Sequence, residues 1–188
     1  MIFKKTQEKE IFLIVGLGNP GREFKNTPHN LGFEVLDIIK RKYNFSKTKI
    51  PAEKIRGIIF EKNKEKGRIL LLKPQTFVNN SGIAVKKVVD FFRVKTQNIL
   101  LVYDDLSINL GKIKFKKNGR SGGHKGVESI IEYLKTDKIA RIKIGTGPIL
   151  EKSKKEFVLK KFNKETQKEI NKIKKEAAEK IEKLLLNN

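Results

Sequence analysis

Six polar side chains lie where this sequence leaves an apolar run or crosses a glycine-rich stretch: Asn19, His29, Asn79, Asp104, Asp105 and His124. A histidine activates water near neutral pH when a carboxylate fixes its tautomer and supports the imidazolium. Asparagine amides donate to a developing oxyanion. The set therefore describes hydrolysis by a lone base, with a histidine, a carboxylate to orient it and amides to hold a carbonyl. Other chemistries lack their parts. Ser81 and Ser121 have no G-x-S-x-G elbow around them. The absence of cysteine removes thiol catalysis, disulfides and cysteine metal sites. Two histidines and scattered acids make a poor metal site, so no metal is expected.

These groups need a rigid frame. Ile11–Val15 is an unbroken apolar run and reads as a buried central strand. It ends in Gly16-Leu17-Gly18-Asn19-Pro20-Gly21, and in an open α/β sheet ligands sit beyond the carboxyl ends of the strands. The glycines match the dinucleotide-binding spacing, but the context fails. Pro28 and Gly32 interrupt the helix that should hold the pyrophosphate, and the acid about 20 residues on would be Asp37, inside a helical pattern.

The remaining elements follow from periodicity. Leu31–Tyr43 repeats apolar residues as an amphipathic helix does. Ile55–Glu61 and Arg68–Lys73 read as a hairpin around a Lys-rich turn ending in Gly67. Asn79, Asn80 and Ser81 are cap-type residues before a helix over Ile83–Phe92. Asn98–Tyr103 is a strand ending at Asp104-Asp105. Lys112–Lys117 alternates basic and apolar residues, a half-buried strand with a basic outer face. Asn118–Gly126 is a loop holding His124, Val127–Leu134 a helix and Arg141–Ile144 a strand closed by Gly145–Pro148. From Lys164 one helix carries Ile170, Ile173, Ala177, Ile181 and Leu184 on a single stripe. The expected fold is one α/β domain over residues 1–188, a twisted mixed sheet between helices in three layers, with residues 1–10 a short polar extension.

Charge narrows the partner. Lysine and arginine number 43 against 21 acids, a net +22 that favours a polyanion such as a nucleic acid. The basic residues form no block, so folding must gather them. No run is long enough to span a membrane and no signal peptide is expected, which with the lack of cysteine suits the cytosol.

Five blocks, taken together and in order, closely resemble the bacterial peptidyl-tRNA hydrolase family. They are Gly16–Gly21, Thr27-Pro28-His29-Asn30-Leu31-Gly32, Lys73-Pro74-Gln75-Thr76-Phe77-Val78-Asn79-Asn80-Ser81-Gly82, Tyr103-Asp104-Asp105-Leu106 and Gly122-Gly123-His124-Lys125-Gly126. The resemblance implies a monomeric cytoplasmic enzyme that hydrolyses the ester between a peptide and the 3′ end of tRNA without a cofactor. It implies His29 as general base, Asp104 as its orienting partner and Asn19 as a discriminator of N-blocked from free aminoacyl groups. Phe77 and Asn79 would line the groove for the 3′ adenosine and first peptide unit, and Lys116 and Lys143 would face the 5′-phosphate and acceptor stem.

The chain departs from that pattern in three places. Phe24 stands where the family usually has tyrosine, which keeps stacking on a base but loses a hydroxyl. Pro28 replaces a common arginine, and Lys125 a common asparagine. Lysine only donates, so Lys125 is expected to keep the donor half of the asparagine's task over the cleft. The alternative is a non-catalytic RNA-binding protein on the same fold, which would have no need of His29, Asp104 and both asparagines. A peptidase or nucleotidase would not explain the charge.

Overall fold

Strand β1 (Glu10–Gly16) runs through the middle of a seven-stranded sheet in the computed structural model, which describes residues 10–65, 67–147 and 154–185. Residues 1–9, most of the expected polar extension, and Pro148 lie outside the described residues. The other strands are β2 (Ser46–Lys47), β3 (Gly57–Lys64), β4 (Gly67–Pro74), β5 (Ile99–Asn109), β6 (Ile113–Lys116) and β7 (Ala140–Gly147). Their order is β2-β3-β4-β1-β5-β7-β6. The central four, β4, β1, β5 and β7, are parallel, while β3 and β6 pair antiparallel outside them.

Parallel strands must be covered on both faces, and β1 has the sequence for it. Leu13 and Val15 face one layer and Ile14 the other, all fully buried. The first layer holds α2 (Ala52–Ile55), α3 (Ser81–Phe92) and α4 (Lys125–Leu134), which contribute Ile55, Val85, Val88, Val127 and Ile130. The second holds α1 (Leu31–Lys42) and α6 (Lys164–Leu185), which contribute Val35, Leu36, Ile39, Ile170, Ile173 and Ile181. The expected α/β fold, a mixed sheet flanked by helices on both faces, is therefore found.

Several boundaries move, each for a local reason. Ile55 closes the short α2 and not a strand, because Arg56 turns into the left-handed region at φ 53° and β3 begins after it. Strand β5 passes through Asp104 and Asp105 to Asn109, held by its pairing to β7. Gly32 does not interrupt a helix; it is the second residue of α1. A side chain there would collide with the Leu17 amide and the Val102 carbonyl, so its role is to let the start of α1 lie against the end of β1 and the body of β5. That contact is closed by Phe33 N–H donating to Leu17 O at 3.2 Å. Asn80 makes no side-chain cap, and Ser81 Oγ instead donates to Val78 O at 2.8 Å. On α6, Leu184 leaves the buried stripe and is 37% exposed. A further helix, α5 (Lys154–Leu159), carries no signal that the periodicity picked out.

Candidate active site

The turns after β1 and β4 and the start of α4 (Lys125–Leu134) meet around Asp104 of β5. The first follows β1 and becomes a 3₁₀ turn over Pro28–Asn30, with Pro28 at its first position. Proline suits a helical start, since its fixed φ is already right and it has no N–H to leave unpaired. The turn carries His29 to Asp104 on β5, where Nδ1 lies 2.9 Å from Oδ1. Asp104 is 1% exposed. Burial alone would push its carboxyl up; the facing His29, with hydrogen bonds from His124 and His29, holds it well below the usual carboxylate range.

The pairing fixes the tautomers. An ionised Asp104 only accepts, so His29 donates from Nδ1 and its Nε2 keeps a free lone pair. His124, at the N-cap of α4, reaches the same Asp104 oxygen through Nε2 at 3.4 Å, and its Nδ1 accepts from Val127 N–H at 3.4 Å. Its neutral form thus carries the proton on Nε2. The two rings lie 5.0 Å apart, and the buried Tyr103 ring packs edge-on to His124 at 4.8 Å. The other oxygen of Asp104, Oδ2, is buried with no hydrogen-bond partner.

Asn19 is fixed from both sides. Asn30 Oδ1 accepts from its backbone N–H at 2.8 Å, and Asn30 Nδ2 donates to its carbonyl at 3.1 Å. The Asn19 side-chain oxygen accepts from Val78 N–H, 59 positions away, at 2.8 Å. The acceptor half of that amide is therefore used, and the donor half is what Asn19 has left to offer. Val78 belongs to a turn held by Asn80 N–H on Phe77 O at 3.1 Å and Thr76 Oγ1 on Asn80 O at 2.9 Å. Phe77 opens that turn at φ 57°, ψ 154°, a backbone state nearly reserved for glycine. Its ring is 55% exposed and meets Phe24 edge-on at 6.3 Å. Asn79 is exposed in the same turn.

The expected basic residues divide. Lys116 is exposed on the edge strand β6. Lys143, on β7, bonds Asp105 Oδ2 at 2.7 Å and is only partly exposed. Burial would raise the Asp105 carboxyl, but Lys143 and Ser107 lower it on balance. Lys125 does not hold the donor position expected over the cleft. It is the first residue of α4, and its Nζ lies 2.8 Å from Glu128 Oε2 on the exposed helix face. An i,i+3 pair at a helix start satisfies both charges locally.

Sequence reasoning assigned no role to Asn30 or Tyr103, and no contact to His124. Asn30 and Tyr103 both lie inside the family-like blocks, yet only the fold shows what they touch. No metal is expected from the sequence, and the fold brings one set of candidate ligands together among the described residues. His29, Asp104 and His124 each offer one ligand atom, all within 4.8 Å of one another. A depression of about 810 Å³, lined by Arg120, Ser121, Glu132 and Lys135 among others, includes none of these three residues in its lining. Among the described residues no helix is long and apolar enough to cross a membrane.

With this geometry established, comparison with known proteins gives a consistent result. The family model described as peptidyl-tRNA hydrolase matches residues 13–188. A peptidyl-tRNA hydrolase of Clostridium novyi is 37% identical over 175 residues, covering 93% of this chain and 92% of the relative. One of Clostridium botulinum is 44% identical over 156 residues, covering 82% and 79%. Among solved structures, a peptidyl-tRNA hydrolase complexed with N-propanol superposes with a TM-score of 0.85 at 33% identity, covering 94% of this chain and 89% of that one. The Acinetobacter baumannii enzyme superposes at 0.84 and 32%, with the same coverage.

Proposed function

This chain belongs to the peptidyl-tRNA hydrolase family and hydrolyses the ester of peptidyl-tRNA, and from that premise we propose which residues carry the reaction. His29 is the general base. Its Nε2 takes a proton from water as the oxygen attacks the ester carbonyl. The imidazolium that forms is held by Asp104 and then returns the proton to the departing ribose oxygen, so the base is regenerated. The 2.9 Å contact of His29 Nδ1 with an ionised, buried Asp104 carries this reading. A positioned base contributes about 10²–10⁴ in rate and one oxyanion donor about 10²–10³, enough for an activated ester.

Asn19 supplies selectivity. With its oxygen bound to Val78 N–H, its NH₂ offers a donor, which suits the carbonyl of a blocked amino group and opposes a free ammonium. Phe24 and Phe77 give an aromatic corner for the terminal base, with Asn79 beside it. Lys116 and Lys143 bind tRNA phosphates, which carry no sequence information. Lys125, paired with Glu128, adds only to the general field. The same reading makes the enzyme a one-domain, cytoplasmic monomer that uses no metal or cofactor. Release of N-acetyl-amino acid from tRNA in EDTA tests it. We expect full activity there and near-inertness toward free aminoacyl-tRNA; activity abolished by chelation and restored by a divalent ion would refute the metal-free route.

A further inference from the structure

His29, Asp104 and His124 form the one group of three metal-ligating residues among the described residues, their ligand atoms within 4.8 Å of one another, with His29 Nδ1 and His124 Nε2 both on Asp104 Oδ1. Two of the separations, 2.9 and 3.4 Å, bracket the roughly 3.3 Å between neighbouring ligands of a tetrahedral ion with bonds of about 2.0–2.1 Å. The third, between the two histidines, reaches 4.8 Å and must shorten on binding, a movement that falls to His29, partly exposed on a short turn, while the carboxylate is fixed on a strand. Two imidazoles and one carboxylate are a donor set of catalytic zinc, which leaves a fourth position for water. A second observation points the same way. Asp104 Oδ2 is buried with no partner, so a cation held by both carboxylate oxygens would engage lone pairs that the protein leaves unused. Mg²⁺ demands six oxygens and keeps most of its waters, so it does not fit.

We propose that this triad is an inhibitory Zn²⁺ site that switches the base off by inverting its tautomer. The proposal rests on the reading of His29 as base. In the metal-free enzyme neutral His29 holds its proton on Nδ1 and its reactive lone pair on Nε2. A zinc ion takes the Nδ1 lone pair, so the proton of the same neutral ring must sit on Nε2, where it blocks abstraction from water. His124 shifts likewise: Nε2 binds the ion, its proton moves to Nδ1, and the long contact from Val127 N–H is given up. Asp104 is already ionised, so the imidazoles exchange proton positions and release none.

The site is tested first without RNA. Metal-free protein is titrated with Co²⁺, which reports coordination by its visible absorption. One equivalent should give the intense spectrum of a four- or five-coordinate ion, and Zn²⁺ should displace it. His124→Gln and Asp104→Asn should each weaken binding by about tenfold or more, with thermal melting used to confirm that both are folded. In turnover, Zn²⁺ should lower the parent's kcat at unchanged KM, and EDTA should restore it. His124→Gln, whatever its own rate, should lose that sensitivity. A weak six-coordinate spectrum, binding indifferent to both substitutions, or zinc inhibition equal in parent and His124→Gln would overturn the proposal. Zinc bound at one equivalent with kcat unchanged or raised would overturn the switch. Normal turnover by His29→Ala would instead refute the base assignment, and the Co²⁺ titration judges the site independently of it.

Discussion

His29 and Asp104 divide one task, and substitution should separate their shares. His29→Ala should lose at least about 10² in kcat and keep tRNA binding within a few-fold, because a base acts mainly in the transition state. Asp104→Asn should lower kcat and move the acid limb of the pH–rate profile to lower pH, since an imidazolium beside an amide is less favoured than beside a carboxylate. A limb unmoved by that change would break the pairing argument. Stability carries a linked sign. A carboxyl depressed in the folded state contributes stability above its unfolded value of about 3.9, and that contribution is lost as pH falls through the folded value. Urea midpoints of the parent should therefore fall more steeply below about pH 4 than those of Asp104→Asn. Lys125 belongs to this scale too. Its ammonium is bound to Glu128, so Lys125→Asn and Lys125→Ala should both turn over within a few-fold of the parent, consistent with the small worth of exposed pairs. The sequence identified the residue but not its direction, because the boundary between a loop and a helix start decides where a side chain points.

At the scale of elements, the Thr76–Asn80 turn holds Phe77 in a left-handed, extended backbone state. Such a state costs about 1–3 kcal/mol for a residue with a side chain. Phe77→Gly should thus match or exceed the parent in urea stability while raising KM, through loss of the ring that meets Phe24. A stability loss with KM unchanged would show that the ring serves the core and not the substrate. The elements were largely legible. The apolar runs of β1, β4 and β5 and the periodicity of α1 and α3 named them correctly, because burial on a sheet or helix face leaves a local pattern. What was not legible had no local pattern. The two-residue β2 exists only through its pairing with β3, α5 is too short to show a period, and β5 continues past Asp104 only because β7 lies beside it. The contact of His29 with Asp104 spans 75 positions, and only family likeness pointed to it from the sequence.

Over the whole molecule, a net charge of +22 foretold a polyanion but not its footprint. Folding gathers part of it on β6 and β7, where Lys114 aligns with Lys143 and Lys116 with Arg141. These four are not equivalent. Arg141 is buried, its guanidinium donating to the carbonyls of Ile139, Arg120 and Asp137, and Lys143 is paired with Asp105, while Lys114 and Lys116 are exposed. Lys116→Ala should raise KM with little change in kcat and reduce the slope of log affinity against log salt by about 0.7–0.9. Lys143→Ala should reduce it less, since its charge is already partly spent on Asp105. Measurement of KM from low to moderate salt checks both, and unchanged slopes in each would put the RNA on another face.

Asp104 and His29 also differ in what they stand on. Asp104 lies within β5, opposite Ile144 of the parallel β7, whereas His29 rides a three-residue 3₁₀ turn. Local opening begins where few backbone bonds must break. In hydrogen exchange the amide of Asp104 should belong with the slow, globally protected set and that of His29 with the fast one. On warming, the pair then parts from its histidine side while the sheet is still intact, so activity fades reversibly below the melting temperature and the enzyme has a thermal ceiling lower than that of its own fold.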